Sequence, residues 1–249
     1  MTCRKYRYIL FDLGGTLIYF RGNWDKALHK GIQRMTTTLL SAGYKIPPAD
    51  FQNAYFKTLQ KYYVERESEL IEYTSAFLLR GLLADYGYPS LPHVQVQAAL
   101  ASMYSVTQAH WHLEAETLPV LEELVFDNFH LGLITNASDA NDVNALVDRH
   151  NLRKFFDLIL ISAVVGMRKP HSLMFSMAME YWKANPEEMV MVGDTLGADI
   201  IGARKAGISS VWITRRAHRA DNRKSVKMII PDASIESLVE LTRFLDSCN

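Results

Sequence analysis

Carboxylate, hydroxyl and basic side chains occur in four short segments, and each segment follows an apolar run. In the first, residues 11–16 read FDLGGT, so Asp12 comes after apolar residues and is followed by two glycines and Thr16. Glycines at such a point let the backbone approach another group closely. A carboxylate at a strand tip can act as a nucleophile or a metal ligand. Alone, the segment fits a strand-end cap and a tight turn equally well.

The second and third segments supply hydrogen-bond donors and positive charge. Thr135 and Asn136 follow another apolar run, and their hydroxyl and amide groups suit phosphate oxygens, although a Thr-Asn pair is commonly a helix N-cap. Lys169 follows a third apolar run and precedes a proline. Its charge can offset clustered carboxylates or a phosphate group.

The fourth segment carries two more acids. Residues 193–199 read GDTLGAD, which places Asp194 at a predicted strand tip and Asp199 five residues later, at the predicted start of a helix. Two carboxylates placed in this way can gather a hard cation that prefers oxygen ligands.

A parallel sheet has to position these segments. The apolar runs are short and lack alternating polar residues, which is typical of strands buried on both faces. Helical patterns lie between them, and this alternation predicts an α/β, Rossmann-like parallel sheet flanked by helices. Polar residues at the carboxyl ends of such strands face one crevice. The predicted strands are 8–13, 130–135, 158–162, 189–192 and 210–214, and the predicted helices between them are 118–126, 141–150, 172–181 and 199–206.

The region between the first two strands differs in its pattern. It contains no comparable strand, and apolar residues recur at helical spacing, with helical patterns at 49–65, 69–86 and 94–110. We therefore predict an α/β core domain formed by residues 1–20 and 114–249, and an inserted helical cap domain formed by residues 21–113. An insert directly after the first strand would lie over the carboxyl end of that strand and cap the site.

Composition narrows the class of partner. The 249 residues include 27 basic and 27 acidic side chains, which disfavours a basic nucleic-acid surface, so we expect a small anionic molecule and no nucleic acid. No apolar run approaches the roughly 18 residues of a membrane span, and the N-terminus lacks the pattern of an export signal. The two cysteines, Cys3 and Cys248, fit neither a disulfide framework nor a zinc motif. We predict a cytoplasmic monomer or homodimer without membrane contact.

In their order along the chain, the four segments resemble the four motifs of the haloacid dehalogenase superfamily. The helical insert between the first two resembles the helical-cap (C1) subfamily, and the resemblance covers nearly the whole chain. The first and fourth motifs are specific as a pair, whereas the second and third contribute mainly by position. The resemblance implies a magnesium-dependent hydrolase that acts on a small phosphorylated substrate through an aspartyl-phosphate on Asp12.

The resemblance also implies a role for each site residue. Mg2+ would shield charge and hold the phosphoryl group in line, while the lysine would orient the nucleophile and neutralise charge. The implied magnesium ligands are the side chains of Asp12, Asp194 and Asp199 and the backbone carbonyl of Gly14. The implied catalytic residues are Asp12, Thr135 and Lys169. The implied substrate-binding residues are Thr16, Asn136 and, at the entrance to the cap, Arg21.

Gly14 departs from the phosphatase pattern, which has a second aspartate at this position. That aspartate normally protonates the leaving oxygen and then deprotonates the hydrolytic water, a contribution of roughly 10²–10⁴ in rate. The metal site should survive, because residue 14 lends only its carbonyl. The substitution predicts an enzyme that is slow or restricted to good leaving groups such as acyl phosphates, unless the substrate or the cap supplies another acid. The histidines in or near the cap are His29, His110 and His112.

Two other interpretations of Gly14 remain open. One is a relative that never uses this acid: phosphonate hydrolases have Ala here and need a cap lysine, whereas dehalogenases usually have Tyr and lack the acid at Asp194. The other is a catalytically weak protein that binds a phosphorylated ligand or a partner, which retention of the remaining motif residues disfavours. The candidate cap lysines are Lys26, Lys30, Lys57 and Lys61.

Three further groups receive simpler interpretations. The aromatic residues between positions 55 and 77 fit a helical core better than a substrate pocket. Residues 110–112, which read His-Trp-His, fit a hinge or a pocket. A basic stretch after the last predicted strand is most simply a solvated loop. It contains Arg215, Arg216, His218, Arg219, Arg223 and Lys224.

Overall fold

The computed structural model describes residues 5–223 and 227–247, so Cys3, Cys248 and Lys224 lie outside the described residues. The strands in this part of the chain are β1 (Tyr8–Phe11), β2 (Ile18–Phe20), β3 (Trp111–Leu113), β4 (His130–Thr135), β5 (Leu158–Ile161), β6 (Met189–Gly193), β7 (Ser209–Ile213) and β8 (Ala233–Ile235). The α-helices are α1 (Trp24–Ser41), α2 (Pro48–Glu69), α3 (Ser75–Asp85), α4 (His93–Gln108), α5 (Thr117–Phe126), α6 (Ala140–Arg149), α7 (Ser162–Val165), α8 (Ser172–Trp182), α9 (Ile201–Lys205), α10 (Ala220–Arg223) and α11 (Val239–Ser247).

Six strands form one parallel sheet in the order β5-β4-β1-β6-β7-β8. Alternate residues of β1 enter different hydrophobic clusters, with Ile9 and Phe11 on one face and Tyr8 and Leu10 on the other. The sheet is therefore buried on both faces, and the predicted Rossmann-like α/β fold is confirmed. From β1 the sheet extends through β4 on one side and β6 on the other, so the carboxyl ends of these three strands border one crevice.

The five predicted strands are present, with ends that differ by one or two residues. Other details differ from the sequence interpretation. The predicted helix at 199–206 is preceded by a π-helical turn, Leu196–Ile200, before α9 begins. The edge strand β8 was not predicted, because a run of three residues carries too little apolar signal.

Helices α1 to α4 pack around a hydrophobic cluster of their own. In α1, Leu28, Ile32, Met35 and Leu39 are buried, as their spacing predicts, whereas Trp24 is 38% exposed. The predicted helix at 69–86 is wrong at its start, because residues 70–74 form a non-helical link before α3. Glu72 bonds to other segments through its side chain and its backbone N–H, and Thr74 caps α3, so neither residue continues a helix from α2.

Strands β2 and β3 form a small antiparallel ribbon between the helices and the sheet. The expectation that 21–113 contains no strand is therefore wrong at Trp111–Leu113. This strand is three residues long and pairs with residues far away in sequence, so periodicity could not reveal it. Within the described ranges, no helix combines the length and apolarity needed to cross a membrane.

Candidate active site

Three carboxylates meet in the crevice beyond the carboxyl ends of β1 and β6. Asp12 follows β1, Asp194 follows β6, and Asp199 lies in the π-helical turn. One oxygen of each lies within 4.8 Å of the others. The exposed fractions of Asp12, Asp194 and Asp199 are 8%, 1% and 1%. Three acids this close together, shielded from water, repel one another unless cations offset their charge.

Lys169 is the cation at the centre of this cluster. Its Nζ donates to Asp12 Oδ1 at 2.8 Å, to Asp199 Oδ1 at 2.7 Å and to the Ile134 carbonyl at 2.7 Å. Burial by itself lowers the pKa of Lys169, but the Asp12 and Asp199 charges outweigh burial and raise the pKa above its usual value. Lys169 is therefore held in its charged form, aimed at the predicted nucleophile.

Asn136 fixes the backbone that carries this lysine. Its Nδ2 donates to the Lys169 carbonyl at 2.9 Å, and the Lys169 N–H donates to Asn136 Oδ1 at 2.8 Å. The sequence predicts that the Asn136 amide binds phosphate oxygens. In the structure, both polar atoms of this side chain are engaged by the lysine backbone, so Asn136 supports Lys169.

The other residues predicted for catalysis or substrate binding lie at different distances from the carboxylates. Thr16 donates from Oγ1 to Asp12 Oδ2 at 3.4 Å, and Thr135 is buried at the tip of β4, next to β1 in the sheet. Arg21 is exposed, and its backbone N–H donates to the His110 carbonyl at 2.8 Å. The structure thus brings Thr16 to Asp12 and places Arg21 at the start of the helical segment.

Asp194 has several donors of its own. Arg219 Nη1 donates to Asp194 Oδ2 at 2.7 Å, and Thr195 Oγ1 donates to Oδ1 at 3.1 Å. Trp212 Nε1 and Asn222 Nδ2 donate to the Asp194 carbonyl at 3.0 and 2.8 Å. This network orients the carboxylate toward the crevice and supplies a second positive charge to the site.

The donor set fits a hard divalent cation. Burial, and then the charges of neighbouring carboxylates, raise the pKa of Asp194; burial and the Asp12 charge raise that of Asp199 against the opposing charge of Lys169. These directions mark an excess of negative charge that two basic side chains do not fully offset. A β-carbon at Gly15 would overlap the Asp194 carboxylate, so glycine is needed for this close approach. Oxygen ligands and excess negative charge are what Mg2+ binding requires.

The interpretation of the basic stretch as a solvated loop is wrong for three of its arginines. Arg215 pairs with Glu114 at 2.6 Å and also with Glu116. Arg216 pairs with Glu114 and donates to the Gly15 carbonyl at 3.1 Å. Arg216 and Arg219 thereby join the stretch to Gly15 and Asp194. Their acidic partners lie far away in sequence, so local composition could not identify them.

A second group that the sequence did not reveal is the Glu72 cluster, which consists of Glu72, Tyr62, Ser162 and Arg168. Arg168 Nη1 and Ser162 Oγ each donate to Glu72 Oε2 at 2.7 Å, and the Tyr62 hydroxyl donates to Oε1. The side chains of Arg168 and Glu72 are 8% and 0% exposed. Glu72 belongs to the link after α2, whereas Arg168 immediately precedes Lys169. The cluster therefore ties the helical segment to the backbone of the central lysine.

The candidate alternative acids and Schiff-base lysines lie in ordinary surroundings. His29 is exposed on α1, with Nδ1 2.7 Å from the Asp25 carbonyl, and the ring of His112 contacts Tyr19 at 5.7 Å between centroids. All four candidate lysines are exposed, so none has the dry surroundings that would activate it for a Schiff base. They are Lys26, Lys30, Lys57 and Lys61.

The fold and the four strand-end motifs define a hydrolase class, and sequence comparison agrees. The profile of the haloacid dehalogenase-like hydrolase family matches residues 9–213, and this chain belongs to that family. The predicted family and the predicted enzyme class, a hydrolase, are confirmed.

Individual relatives resemble the chain along most of its length. The glyceraldehyde 3-phosphate phosphatase of Pyrococcus furiosus is 27% identical over 209 residues, which cover 84% of this chain and 81% of that protein. The structure of a HAD phosphatase from Thermococcus onnurineus superimposes with a TM-score of 0.65 at 22% identity, covering 96% of this chain and 97% of the other. The structure of a 2-haloacid dehalogenase from Pseudomonas syringae pv. Tomato DC3000 superimposes with a TM-score of 0.66 at 22% identity, covering 97% of this chain and 99% of the other. Since phosphatase and dehalogenase share this fold, the site has to indicate which bond is hydrolysed.

Proposed function

We propose that this protein is a magnesium-dependent hydrolase of a small phosphorylated metabolite, and that Asp12 forms an aspartyl-phosphate intermediate. The observation that carries the proposal is the buried cluster of Asp12, Asp194 and Asp199 around Lys169. A phosphatase among the full-length relatives supports the same bond class. Asp194 favours it over carbon–halogen cleavage, because that chemistry needs no metal carboxylate at this position.

In this proposal, Asp12, Asp194, Asp199 and the carbonyl of Gly14 would hold Mg2+. The ion would shield charge and hold the phosphoryl group in line with the nucleophile. Lys169 orients Asp12 and offsets charge on the transferring group. The hydroxyls of Thr16 and Thr135 bind phosphate oxygens, and Asn136 acts through the backbone of Lys169.

The reaction proceeds in two displacements. A carboxylate oxygen of Asp12 forms a bond to phosphorus while the bond to the leaving oxygen breaks, and the electron pair of that bond stays on the leaving oxygen. Water then attacks phosphorus, the bond to Asp12 breaks, and inorganic phosphate departs. With Gly14 in place of the usual acid, the first step is fast only for leaving groups that are stable as anions.

The helical segment completes the site in this proposal. Residues 21–113 act as a cap over a core of residues 1–20 and 114–249, and closure of the cap excludes water from the intermediate. The substrate is a small phosphorylated or other anionic molecule. A cytoplasmic monomer or homodimer is part of the same proposal.

A substrate panel tests the proposal. Purified protein is assayed for phosphate release from alkyl, aryl and acyl phosphates and from phosphonates, with Mg2+ and with a chelator. We expect turnover of acyl or nitrophenyl phosphates that requires Mg2+ and is lost in Asp12→Asn. Asp246→Asn, at an exposed position in α11, serves as the matched control. Turnover that survives in Asp12→Asn, or none across the panel, would contradict the proposal.

A further inference from the structure

An aromatic ring closes the side of the active site at Gly14. A β-carbon placed on Gly14 would lie 3.2 Å from Cη2 and 3.5 Å from Cζ3 of Trp111. Positive φ angles occur at Gly15 and at other described glycines but not at Gly14, so its backbone would accept a larger side chain. The space in front of residue 14 is therefore filled by the indole ring.

Backbone pairing holds Trp111 in this position. Gly14 forms a bridge to Ile18, the first residue of β2, and β2 pairs with β3 so that Phe20 lies opposite Trp111. The rings of Phe20 and Trp111 meet edge to face, with centroids 5.4 Å apart. The ring is thus fixed to the same stretch of chain that carries Asp12.

Trp111 is part of an aromatic wall formed by Phe20, Trp24, His110 and Trp111. The ring of Phe20 also contacts Trp24 at 5.0 Å and His110 at 5.3 Å between centroids. Phe20 and Trp111 are partly exposed, and Trp24 is 38% exposed. A partly open aromatic surface beside the carboxylates can pack against a flat group on the substrate.

The atoms of Trp111 nearest to Gly14 cannot donate a proton. Cη2 and Cζ3 belong to the all-carbon ring of the indole, on the edge away from its N–H group. Successive strand residues point to opposite sides, and His112 accordingly contacts Tyr19. At the position where the usual acid would stand, β3 therefore presents aromatic carbon.

We propose that Trp111 is a specificity-determining residue that packs against the leaving group and selects phosphates carried on a flat, conjugated group. The substrate class is an aryl phosphate or an aromatic acyl phosphate. This inference rests on the proposed function and extends it, because it assigns the leaving-group side of the same site.

The lack of an acid at Gly14 and the aromatic ring of Trp111 both favour this substrate class, and both act in the first displacement. When Asp12 bonds to phosphorus, the breaking P–O bond leaves its electron pair on a phenolate or carboxylate oxygen, which needs no proton from the protein. Conjugation stabilises that anion, and the same flat group stacks on Trp111. Water later replaces Asp12 on phosphorus, and its proton passes to the inorganic phosphate or to solvent.

The test compares substrates that differ in flatness but share a carboxylate leaving group. Benzoyl phosphate and acetyl phosphate are assayed with Mg2+, and p-nitrophenyl phosphate reports the aryl arm. The variants are Trp111→Leu, Trp111→Phe and, as a control, Tyr181→Leu, because Tyr181 is 56% exposed on α8. An aromatic contact contributes about 0.5–1.5 kcal/mol beyond burial, which corresponds to roughly two- to tenfold in kcat/KM.

We expect Trp111→Leu to lower kcat/KM for benzoyl phosphate about fivefold, mainly through KM, and to change acetyl phosphate turnover less than twofold. Trp111→Phe should restore most of the loss, and Tyr181→Leu should behave as wild type. A parallel loss for p-nitrophenyl phosphate extends the substrate class to aryl phosphates, whereas loss for benzoyl phosphate alone restricts it to aromatic acyl phosphates. Equal losses for benzoyl and acetyl phosphate would overturn the inference while leaving the proposed function intact. No Mg2+-dependent turnover by wild type would instead overturn the proposed function itself.

Discussion

Gly14 and Trp111 together distinguish this site from that of an ordinary phosphomonoesterase. The part of the first motif that we propose binds Mg2+ is retained, since Asp12 is present and residue 14 still offers its carbonyl. The acid is absent, and an indole ring lies 3.2 Å from the point where its β-carbon would be. Restoring the acid therefore requires space as well as a carboxyl group.

This geometry predicts that the effect of Gly14→Asp on activity depends on the side chain at position 111. Gly14→Asp alone should not raise alkyl phosphate hydrolysis, because its side chain would press against Trp111. In Gly14→Asp/Trp111→Leu, the carboxyl group gains room, and we expect a rise of at least about tenfold over Trp111→Leu, a part of the roughly 10²–10⁴ that a well-placed general acid contributes. Steady-state rates with glycerol phosphate measure this rise in alkyl phosphate hydrolysis. Gly14→Ala/Trp111→Leu is the control, and an equal rise there would rule out proton donation as the cause.

At the residue scale, the sequence was informative where polar residues end apolar strands. Asp12, Lys169, Asp194 and Asp199 could be predicted to meet, because parallel strands place their carboxyl ends along one edge. Arg219 could not be assigned to Asp194 in this way, since it lies in a loop and nothing in its neighbourhood indicates an acidic partner. Trp111 likewise reaches Gly14 through a pairing between distant segments.

At the scale of elements, the link between α2 and α3 connects the helical segment to the active site. Besides the Glu72 side chain, its backbone contacts the core: the Glu72 N–H donates to the Gly166 carbonyl at 3.0 Å, and the Arg168 N–H donates to the Leu70 carbonyl at 3.0 Å. The link thus runs beside the segment that leads into Lys169. If the helical segment moves, either these bonds break or the segment before Lys169 moves with it.

Glu72→Gln should destabilise the protein and slow turnover. The substitution leaves the charge of Arg168 buried without a counter-ion, which typically costs about 3–5 kcal/mol. Because Arg168 adjoins Lys169, we expect kcat to fall as well. Urea unfolding and steady-state kinetics measure the two effects. Glu69→Gln, exposed at the end of α2, is the control.

A double variant separates charge from packing in the Glu72 cluster. Glu72→Met/Arg168→Met removes both charges, so it should be clearly more stable than Glu72→Gln. If the double variant lost as much stability as the sum of the single changes, the isolated charge could not be the cause.

A second contact between elements should depend on pH. Gln108, at the end of α4, donates to Asp142 of α6 at 2.9 Å. Burial, and to a lesser degree the Asp139 charge, raises the pKa of Asp142 to about 7, against the opposing effect of the Gln108 hydrogen bond. The ordinary value is about 3.9, so the folded state keeps a proton that the unfolded state loses. Stability should therefore fall as pH rises from about 4 to about 7.

Asp142→Asn should remove this penalty because an amide does not ionise. We expect a gain of roughly 1 kcal/mol at pH 8, moderated because the α6 N-terminus favours a carboxylate, and no gain near pH 4. Chemical unfolding at both pH values measures the difference. Asp85→Asn, exposed at the end of α3, should show no such change. A gain for Asp142→Asn that is the same at both pH values would contradict ionisation as the cause.

Secondary structure was predictable to the extent that elements are long and strongly patterned. The buried strands and α1 have patterns that extend over several residues, whereas β3 and β8 have three residues each. Local sequence predicts a helix through the link at 70–74, because the bonds that hold the link to the core involve residues at least 90 positions away. Short elements defined by distant partners leave little trace in local sequence.

At the scale of the whole molecule, the parallel sheet and the helical segment have separate hydrophobic clusters and meet around the active site. The carboxylate cluster lowers the free energy of unfolding, because burial and mutual repulsion disfavour its charged form. A bound cation would relieve that cost. Stability of the entire chain should therefore respond to Mg2+.

We expect saturating Mg2+ to raise the thermal midpoint by about 3 °C relative to a chelator, the shift produced by roughly 1 kcal/mol of binding linkage in a chain of this size. Asp194→Asn should abolish the shift, because it removes one of three carboxylate ligands. Asp246→Asn should retain it. Differential scanning fluorimetry measures all three proteins, and an undiminished shift in Asp194→Asn would place the cation elsewhere.

The proposed function requires Asp12 to become phosphorylated during turnover. Wild-type protein and Asp12→Asn are mixed with acetyl phosphate and Mg2+, quenched with acid within the first turnover, and analysed by intact-protein mass spectrometry. Peptide mapping then locates any adduct. We predict that wild type gains the mass of one phosphoryl group on Asp12 and that Asp12→Asn gains none. An adduct on a different residue, or turnover by wild type without any adduct, would contradict the proposed role of Asp12.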